Sequence, residues 1–136
     1  MIFTTDDAVS ARIAPLLPRG FTLYRTGERA DLLGDGGPAW AVKLSFDRIP
    51  ATAQTGRAAR LDPEFTLTVF VDKVRARDED KAAAEAFFLA ALKNLVGWES
   101  APGRETRLTD GPPTEDEAGV VAFSFGFAIP TFVTQL

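Results

Sequence analysis

Large apolar residues occupy every second position along three stretches of the chain, which is the pattern of a strand with one buried face. The stretches run over residues 40–46, 65–71 and 120–129. The opposite face of the third stretch carries only small side chains from Ala122 to Ala128, so we expect another segment to pack closely on it. The predicted core faces consist of Trp40, Val42, Leu44, Phe46, Phe65, Leu67, Val69, Val71, Val121, Phe123, Phe125, Phe127 and Ile129.

Two segments show apolar residues at helical spacing. Residues 4–17 begin with hydroxyl and acidic residues suited to a helix start, and Pro15 and Pro18 limit this helix to a few turns. Residues 78–96 have acidic residues in the first turn and Gly97 placed as a left-handed cap, which predicts a long helix. The expected apolar stripe of this helix is Ala84, Phe88, Ala91, Leu92 and Leu95.

Two connections are longer than a turn requires, because a hairpin needs only about two to five residues. Residues 47–64, with the sequence DRIPATAQTGRAARLDPE, separate two of the predicted strands and have no apolar periodicity. We therefore predict a long loop without secondary structure, and loops of that length are typically either functional or disordered. Residues 100–119 form a second predicted long loop, with a short strand possible within residues 104–109.

With a short candidate strand at residues 21–25, the order is helix, strand, strand, long loop, strand, long helix, strand. A chain of this length usually forms one domain, so residues 1–136 are predicted to be a single α+β domain. We expect a mostly antiparallel sheet of about four or five strands, with the N-terminal helix and the long helix packed on one face.

The absence of Cys and His removes several classes of chemistry. Without thiols or imidazoles there is no disulfide framework, no usual zinc site and no Ser–His or Cys–His nucleophile pair. We therefore predict no enzymatic activity, no catalytic residue, no metal and no cofactor. The lack of Cys also fits the cytoplasm, and residues 1–9 have none of the features of a signal peptide.

Charge and hydropathy also bear on the partners. The net charge is −4 and no basic stripe is present, which argues against specific nucleic-acid binding. The ladder from Phe123 to Phe127 could stack RNA bases, but no basic residue flanks it, so core packing is favoured. No apolar run reaches the roughly twenty residues of a membrane span, so we expect no membrane partner.

Three polar clusters have both a functional and a simpler structural interpretation. Gly34–Gly37 lacks the Lys and the following helix of a phosphate loop, so we interpret it as a turn. Asp78–Asp80 are sequential and point in different directions on a helix, which favours capping over metal binding. The tract of Asp110 and Glu115–Glu117 lacks calcium-loop spacing and is interpreted as a solvated loop, with a rim that meets a basic partner as the alternative.

Five residues are candidates for a protein interface. Arg48, Arg57 and Arg60 lie in the long loop, and Arg is enriched at interfaces because its guanidinium pairs bidentately with carboxylates. Phe70 and Leu89 each interrupt an otherwise polar face. A merely flexible loop is the alternative for the arginines. A catalytic lid is disfavoured, because the sequence offers no catalytic residue for it to cover.

Four ordered blocks between Pro38 and Phe132 resemble parts of one known family. The blocks are PAWAVKLSF, FTLTVFVDKV, RDEDKAAAEAFFLAALKNLVG and TEDEAGVVAFSFGFAIPTF. They resemble, in this order, the Pro-led central strand, the next strand, the amphipathic helix and the closing strand of the tail terminator proteins of long-tailed phages. The chain is similar within that family to the small minor tail protein (U type) of lambda-like phages. The segment Ser100–Pro113 departs from the family pattern.

The resemblance implies a structural role without enzymatic activity. Proteins of this family assemble as a hexameric ring on the head-proximal end of the tail tube, halt tube polymerisation and present a surface to the head connector. The implied partners are other copies of this chain, the major tail tube protein and a head-completion or connector protein. The implied location is the tail or neck of the virion, after assembly in the host cytoplasm. In such a ring, the segment 47–64 would be an assembly element facing the tube or the lumen.

Two alternatives stay open. Another neck or tail-completion protein of a tailed phage would have similar size, acidity and α+β character. A small-molecule-binding domain belongs to a different class and requires a cavity with convergent polar groups, which the sequence does not clearly offer.

Overall fold

The computed structural model describes residues 2–25, 33 and 37–134. Most of the turn interpreted at Gly34–Gly37 lies outside the described residues. The helices are α1 (Ile2–Ile13), a short 3-10 helix (Ala14–Leu16) and α2 (Asp78–Leu95). The strands are β1 (Leu23–Arg25), β2 (Trp40–Arg48), β3 (Ala51–Thr55), β4 (Ala58–Leu61), β5 (Glu64–Asp72), β6 (Arg107–Thr109), β7 (Glu115–Glu117), β8 (Val120–Ala128) and β9 (Thr131–Val133).

The described strands form two sheets. The main sheet has six strands in the order β1-β2-β5-β8-β6, with β7 also paired to β8. All of its pairs are antiparallel except β1 with β2. The second sheet is antiparallel and has the order β3-β4-β9. The predicted α+β fold with a mostly antiparallel sheet is confirmed. Of the extra strands, β3, β4 and β7 lie in the two segments predicted as loops, and β9 follows the predicted closing strand.

The hydrophobic core lies between one face of the main sheet and the helices. Val42 stands opposite Val69, and Leu67 stands opposite Phe125, so the apolar faces of β2, β5 and β8 lie side by side. Helix α1 adds Val9 to this core. Burial of each large apolar side chain contributes about 1.5–3 kcal/mol, so this layer supplies most of the stabilisation. The largest fully buried side chains include Trp40, Phe65, Phe127, Ile13, Leu44, Leu95 and Ile129.

Helix α2 has the predicted extent but a slightly different orientation. Asp80 accepts a hydrogen bond of 2.9 Å from the backbone N–H of Arg77, which confirms the capping interpretation for this residue of the acidic cluster. The helix ends at Leu95, and Gly97 follows with a φ of +75°. Phe87, absent from the expected stripe, is buried, whereas Phe88 is half-buried.

A segment crosses the outer face of β8, as the small residues of that face predict. A Cβ atom on Gly126 would stand 2.5 Å from Oγ1 of Thr109 and 3.2 Å from the backbone oxygen of Asp110. A Cβ atom on Gly111 would stand 2.9 Å from the backbone nitrogen of Gly126. The chain between β6 and β7 therefore approaches β8 so closely that these two glycines have no room for a side chain.

The prediction of a loop without secondary structure at residues 47–64 was wrong. Strand β2 continues to Arg48, and β3 and β4 form a hairpin before β5 begins at Glu64. Thr55 pairs with Ala58 around the two-residue turn of Gly56 and Arg57, and Gly56 has a φ of +57°. A positive φ at Gly in the first of two loop positions is the arrangement of a type II′ hairpin turn.

The second predicted loop is also interrupted by strands. Within residues 100–119, β6 supplies the expected short strand, although it begins three residues later than the predicted range. The acidic tract was interpreted as a loop, but Glu115–Glu117 form strand β7 and pair with Val120–Ala122. The carboxylates therefore lie along an exposed edge of the main sheet.

Candidate assembly surface

The hairpin presents an exposed strand edge. All five residues of β3 are exposed, and β3 pairs with β4 on one side only. Strand β4 pairs in turn with β9, since Ala59 stands opposite Val133 and Leu61 opposite Thr131. An unpaired strand edge offers a row of backbone N–H and C=O groups to another chain. The β3-β4-β9 sheet is therefore a candidate surface for assembly.

A buried carboxylate anchors this sheet to the rest of the fold. Asp62 is fully buried and accepts hydrogen bonds from Nε and Nη2 of Arg60, at 2.9 and 3.3 Å. It also accepts a bond of 3.0 Å from Nη2 of Arg107 in β6. Burial would raise the pKa of Asp62, but hydrogen bonds from Arg60, Arg107 and Thr52 outweigh it and hold the pKa below its ordinary value. The carboxylate is thus ionised and joins β3, β4 and β6.

The three predicted arginines occupy different parts of this region. Arg48 donates a hydrogen bond of 2.6 Å to Glu64 at the base of the hairpin. Arg60 is held by Asp62, and its guanidinium carbon lies 6.0 Å from the centre of the Phe132 ring. Arg57 lies at the tip, is exposed and has no salt-bridge partner among the described residues. It is therefore the free positive charge of the hairpin.

Phe70 and Leu89 lie away from the hairpin, so the five predicted residues do not form one cluster. Phe70 is half-buried on the outer face of the main sheet, opposite Ala41 and Ala122. Leu89 on α2 is 53% exposed and lines a cavity of about 330 Å³ with Glu85, Phe88 and Phe123. Their interface role stays a prediction.

Several residues of this surface carry no clear signal in the sequence. Asp62 and Arg107 are 45 positions apart, so only the pairing of β6 with β8 brings them together. Phe132 is half-exposed beside Arg60 because β9 adds to β4. The sequence signal for the hairpin is Gly56 followed by Arg57 between two short segments, because a two-residue turn of type II′ has Gly at its first position.

In the described ranges, no group of three or more Asp or Glu side chains is placed to hold a metal ion. None of the helices in those ranges is long and apolar enough to cross a membrane.

Comparison with solved structures identifies the fold. The chain superposes on the PVC sheath/tube terminator of an extracellular contractile injection system in its extended state, with a TM-score of 0.67 over 98% of this chain. The fold is tail-terminator-like. Sequence identity is 14%, and the chain spans just over half of that terminator, 56% of its length.

A second solved structure has a similar fold and a more similar length. It is a chain in the virion of a native gene transfer agent particle, with a TM-score of 0.50 and 17% identity. The match covers 92% of this chain and 95% of that one. No family model and no curated protein sequence matches the chain. These likenesses establish the fold, and the closer resemblance to the lambda-like minor tail protein stays a prediction.

Proposed function

We propose that this protein is a tail terminator of a phage or prophage, which caps the head-proximal end of the tail tube as a hexameric ring. In this role it stops tube polymerisation and forms the surface that joins head and tail. The observation that carries the proposal is that 98% of the chain has the fold of a sheath/tube terminator. The protein works as a structural part of the virion and has no enzymatic activity.

The assembly surface supports this role. A closed ring of identical subunits uses heterologous contacts, in which two different surfaces of each subunit meet. The open edge of β3 and the exposed Arg57 form one such surface. The partners are other copies of this chain, the major tail tube protein and a head-completion or connector protein. The location is the virion tail or neck, with assembly in the host cytoplasm.

A second candidate is another neck or tail-completion protein. It is favoured by the match to a gene transfer agent chain, because that match covers 95% of a virion component of similar length. The two roles differ in what fails when the protein is missing. Without a terminator, tail tubes grow beyond their normal length. Without a neck protein, tubes of normal length form but do not join heads.

Electron microscopy of tails assembled with and without the protein tests the proposal. We expect overlong tubes in its absence, and tubes of normal length with a six-fold ring at one end when the protein is added back. Tubes of normal length without the protein would exclude the terminator role. Native mass spectrometry adds a second measurement, because a monomer that binds metabolites would instead support a small-molecule-binding domain.

The structure also decides how the hairpin should be altered in such an experiment. Deletion of residues 51–60 would remove β3 and most of β4, leave β9 without its partner, and deprive Asp62 of Arg60. Loss of function could then reflect loss of folding. Substitution of Arg57 is the better test, because its side chain is exposed at the turn.

A further inference from the structure

The turn that follows β5 presents a rigid apolar tip. Asp72 accepts hydrogen bonds from the backbone N–H groups of Val74 and Arg75, at 3.0 and 3.2 Å, and also from Nε of Arg75 at 3.0 Å. The guanidinium of Arg75 donates further bonds to the backbone oxygens of Gly37 and Pro38. Within this fixed turn, the side chain of Val74 is 86% exposed. A preformed apolar tip loses little conformational entropy on binding.

The acidic strand β7 lies beside this tip. The backbone N–H of Lys73 donates a hydrogen bond of 2.9 Å to Gly119, and Nζ of Lys73 pairs with Asp116 at 2.6 Å, so β7 lies beside the turn. Glu115 and Glu117 lie on the other face of β7, are exposed and have no salt bridge among the described residues. We call Val74 with Glu115 and Glu117 the acidic end of the subunit.

The second sheet carries a hollow of complementary character. A cavity of about 260 Å³ opens on it, lined by small side chains that include Ala53, Ala58 and Ala59, by Phe132 and Val133, and by Arg60. Residues 51–61 contain Arg57 and Arg60 and no acidic residue. We call this cavity, with the adjacent Arg57, the alanine hollow.

The acidic end and the alanine hollow lie at opposite ends of the main sheet. Strand β5 starts at Glu64 opposite Ala128, next to the second sheet, and ends at Asp72 opposite Val120, next to the acidic end. Nine residues of extended strand separate them by about 30 Å. One subunit therefore cannot bring its own two surfaces together, but two neighbouring subunits placed head to tail can.

We propose that the acidic end of one copy seats in the alanine hollow of the next copy, with Val74 against the alanines and Glu115 and Glu117 facing Arg57. This contact rests on the proposed ring, and it identifies the two surfaces that form it. Like ends do not pair, because Glu115 and Glu117 repel their own equivalents and Arg57 repels its own. The contact is therefore head-to-tail, which is the kind that closes a ring by rotation.

Charge reversal at each surface tests this contact in the full chain. One variant is Arg57→Glu, and the other combines Glu115→Lys with Glu117→Lys. We expect each variant alone to need a roughly tenfold or higher concentration than the wild type for ring formation, because like charges then meet at every interface. Sedimentation velocity and native mass spectrometry, with and without tail tubes, measure the assembly. Arg19→Glu reverses an exposed charge between the 3-10 helix and β1, outside the residues of both surfaces, and is the matched control.

Two rescue experiments distinguish a specific contact from general damage. An equal mixture of the two variants should assemble into rings in which they alternate, because each acidic or basic surface then meets its opposite. A chain that carries all three substitutions should assemble alone. Val74→Ser should weaken the wild-type ring, whereas Phe3→Ser, at a similarly exposed apolar residue, should leave it unchanged.

The outcomes separate this contact from the proposed function. If wild-type rings form and Arg57→Glu forms them equally well, or the mixture shows no rescue, the contact is wrong and the terminator role stands. If the wild type forms no ring even on tail tubes, the terminator role fails and the contact fails with it.

Discussion

Arg107 donates a hydrogen bond of 3.0 Å to the fully buried carboxylate of Asp62, across 45 positions of sequence. The pair joins the edge of the main sheet to the base of the hairpin. Arg60 binds the same carboxylate, so Asp62 is shared between two guanidinium groups. Asp62 therefore helps to fix the orientation of the second sheet.

Arg107→Met should lower the free energy of unfolding by about 1.5–3 kcal/mol, the range for a hydrogen bond to a charged group. The methionine keeps the aliphatic contacts and removes the donor. Urea denaturation at pH 7 measures the change. Arg104→Met removes the same charge from a residue that forms no salt bridge among the described residues, so it should leave the free energy of unfolding nearly unchanged. Equal effects of the two substitutions would contradict the anchoring role.

Asp62 should make the free energy of unfolding depend on pH. Its pKa is lowered in the folded state, so its contribution is complete above the unfolded pKa of about 3.9 and is lost as the pH falls through the folded value. The stability difference between the wild type and Asp62→Asn should stay constant from about pH 7 to pH 5 and shrink below about pH 4. Urea midpoints at several pH values test this, with Glu99→Gln as the control. If the stability difference between the wild type and Asp62→Asn instead grew as the pH fell, the pKa of Asp62 would not be lowered by folding.

Gly126→Ala should destabilise the fold by about 1–3 kcal/mol, the usual cost of overpacking. The added methyl group would stand 2.5 Å from Oγ1 of Thr109. Thr109→Ala removes that atom, so the double variant should lose less stability than the two single changes added together. Thermal or urea unfolding of the four proteins gives the coupling. Strict additivity would show that the clash is relieved elsewhere.

Gly56→Val should open the hairpin without unfolding the core. A β-branched residue at a φ of +57° is strained, by about 1 kcal/mol or more. Because all of β3 is exposed, the loss stays local. Hydrogen exchange should quicken within residues 51–61 and stay unchanged in β5 and β8, while tube capping weakens. Faster exchange throughout the main sheet would show that the hairpin is part of the global folding unit.

Leu89→Glu tests the predicted interface on α2. Because Leu89 is 53% exposed, the substitution should change stability by less than about 1 kcal/mol. If its cavity faces a partner in the assembled tail, capping should fall while the monomer stays folded. Ala86→Glu, at an exposed position on the same helix, is the matched control. Normal capping by both variants would remove Leu89 from the interface.

The strands that cross the core could be predicted from the sequence because each has one buried face. Phe65, Leu67 and Val69 alternate with threonines, and burial alternates with them. Strand β3 is exposed at all five positions, so nothing selects one face and the period-2 pattern is missing. Its alanines are also uncommon in strands, which made the segment resemble a loop.

The site was predictable only in part. The predicted interface residues Arg57 and Arg60 do lie on the hairpin. Asp62, by contrast, has no local sequence pattern that indicates burial. Its partner Arg107 depends on the long-range register of β6, which no local sequence signal specifies. Phe87 and Phe88 are adjacent on a helix, and which of them faces the core depends on the helix rotation set by packing.

Strand β5 directly connects the hairpin with the turn that presents Val74. Its backbone already rises about 3.4 Å per residue, close to the limit of a stretched chain. A force applied between the hairpin and this turn can therefore lengthen the strand very little. Strand β5 is also hydrogen-bonded to β2 on one side and to β8 on the other. Each subunit thus has an extended strand that resists stretching between the hairpin and the Val74 turn. A ring in which neighbouring subunits contact each other at these two places would therefore keep its diameter when it is pulled.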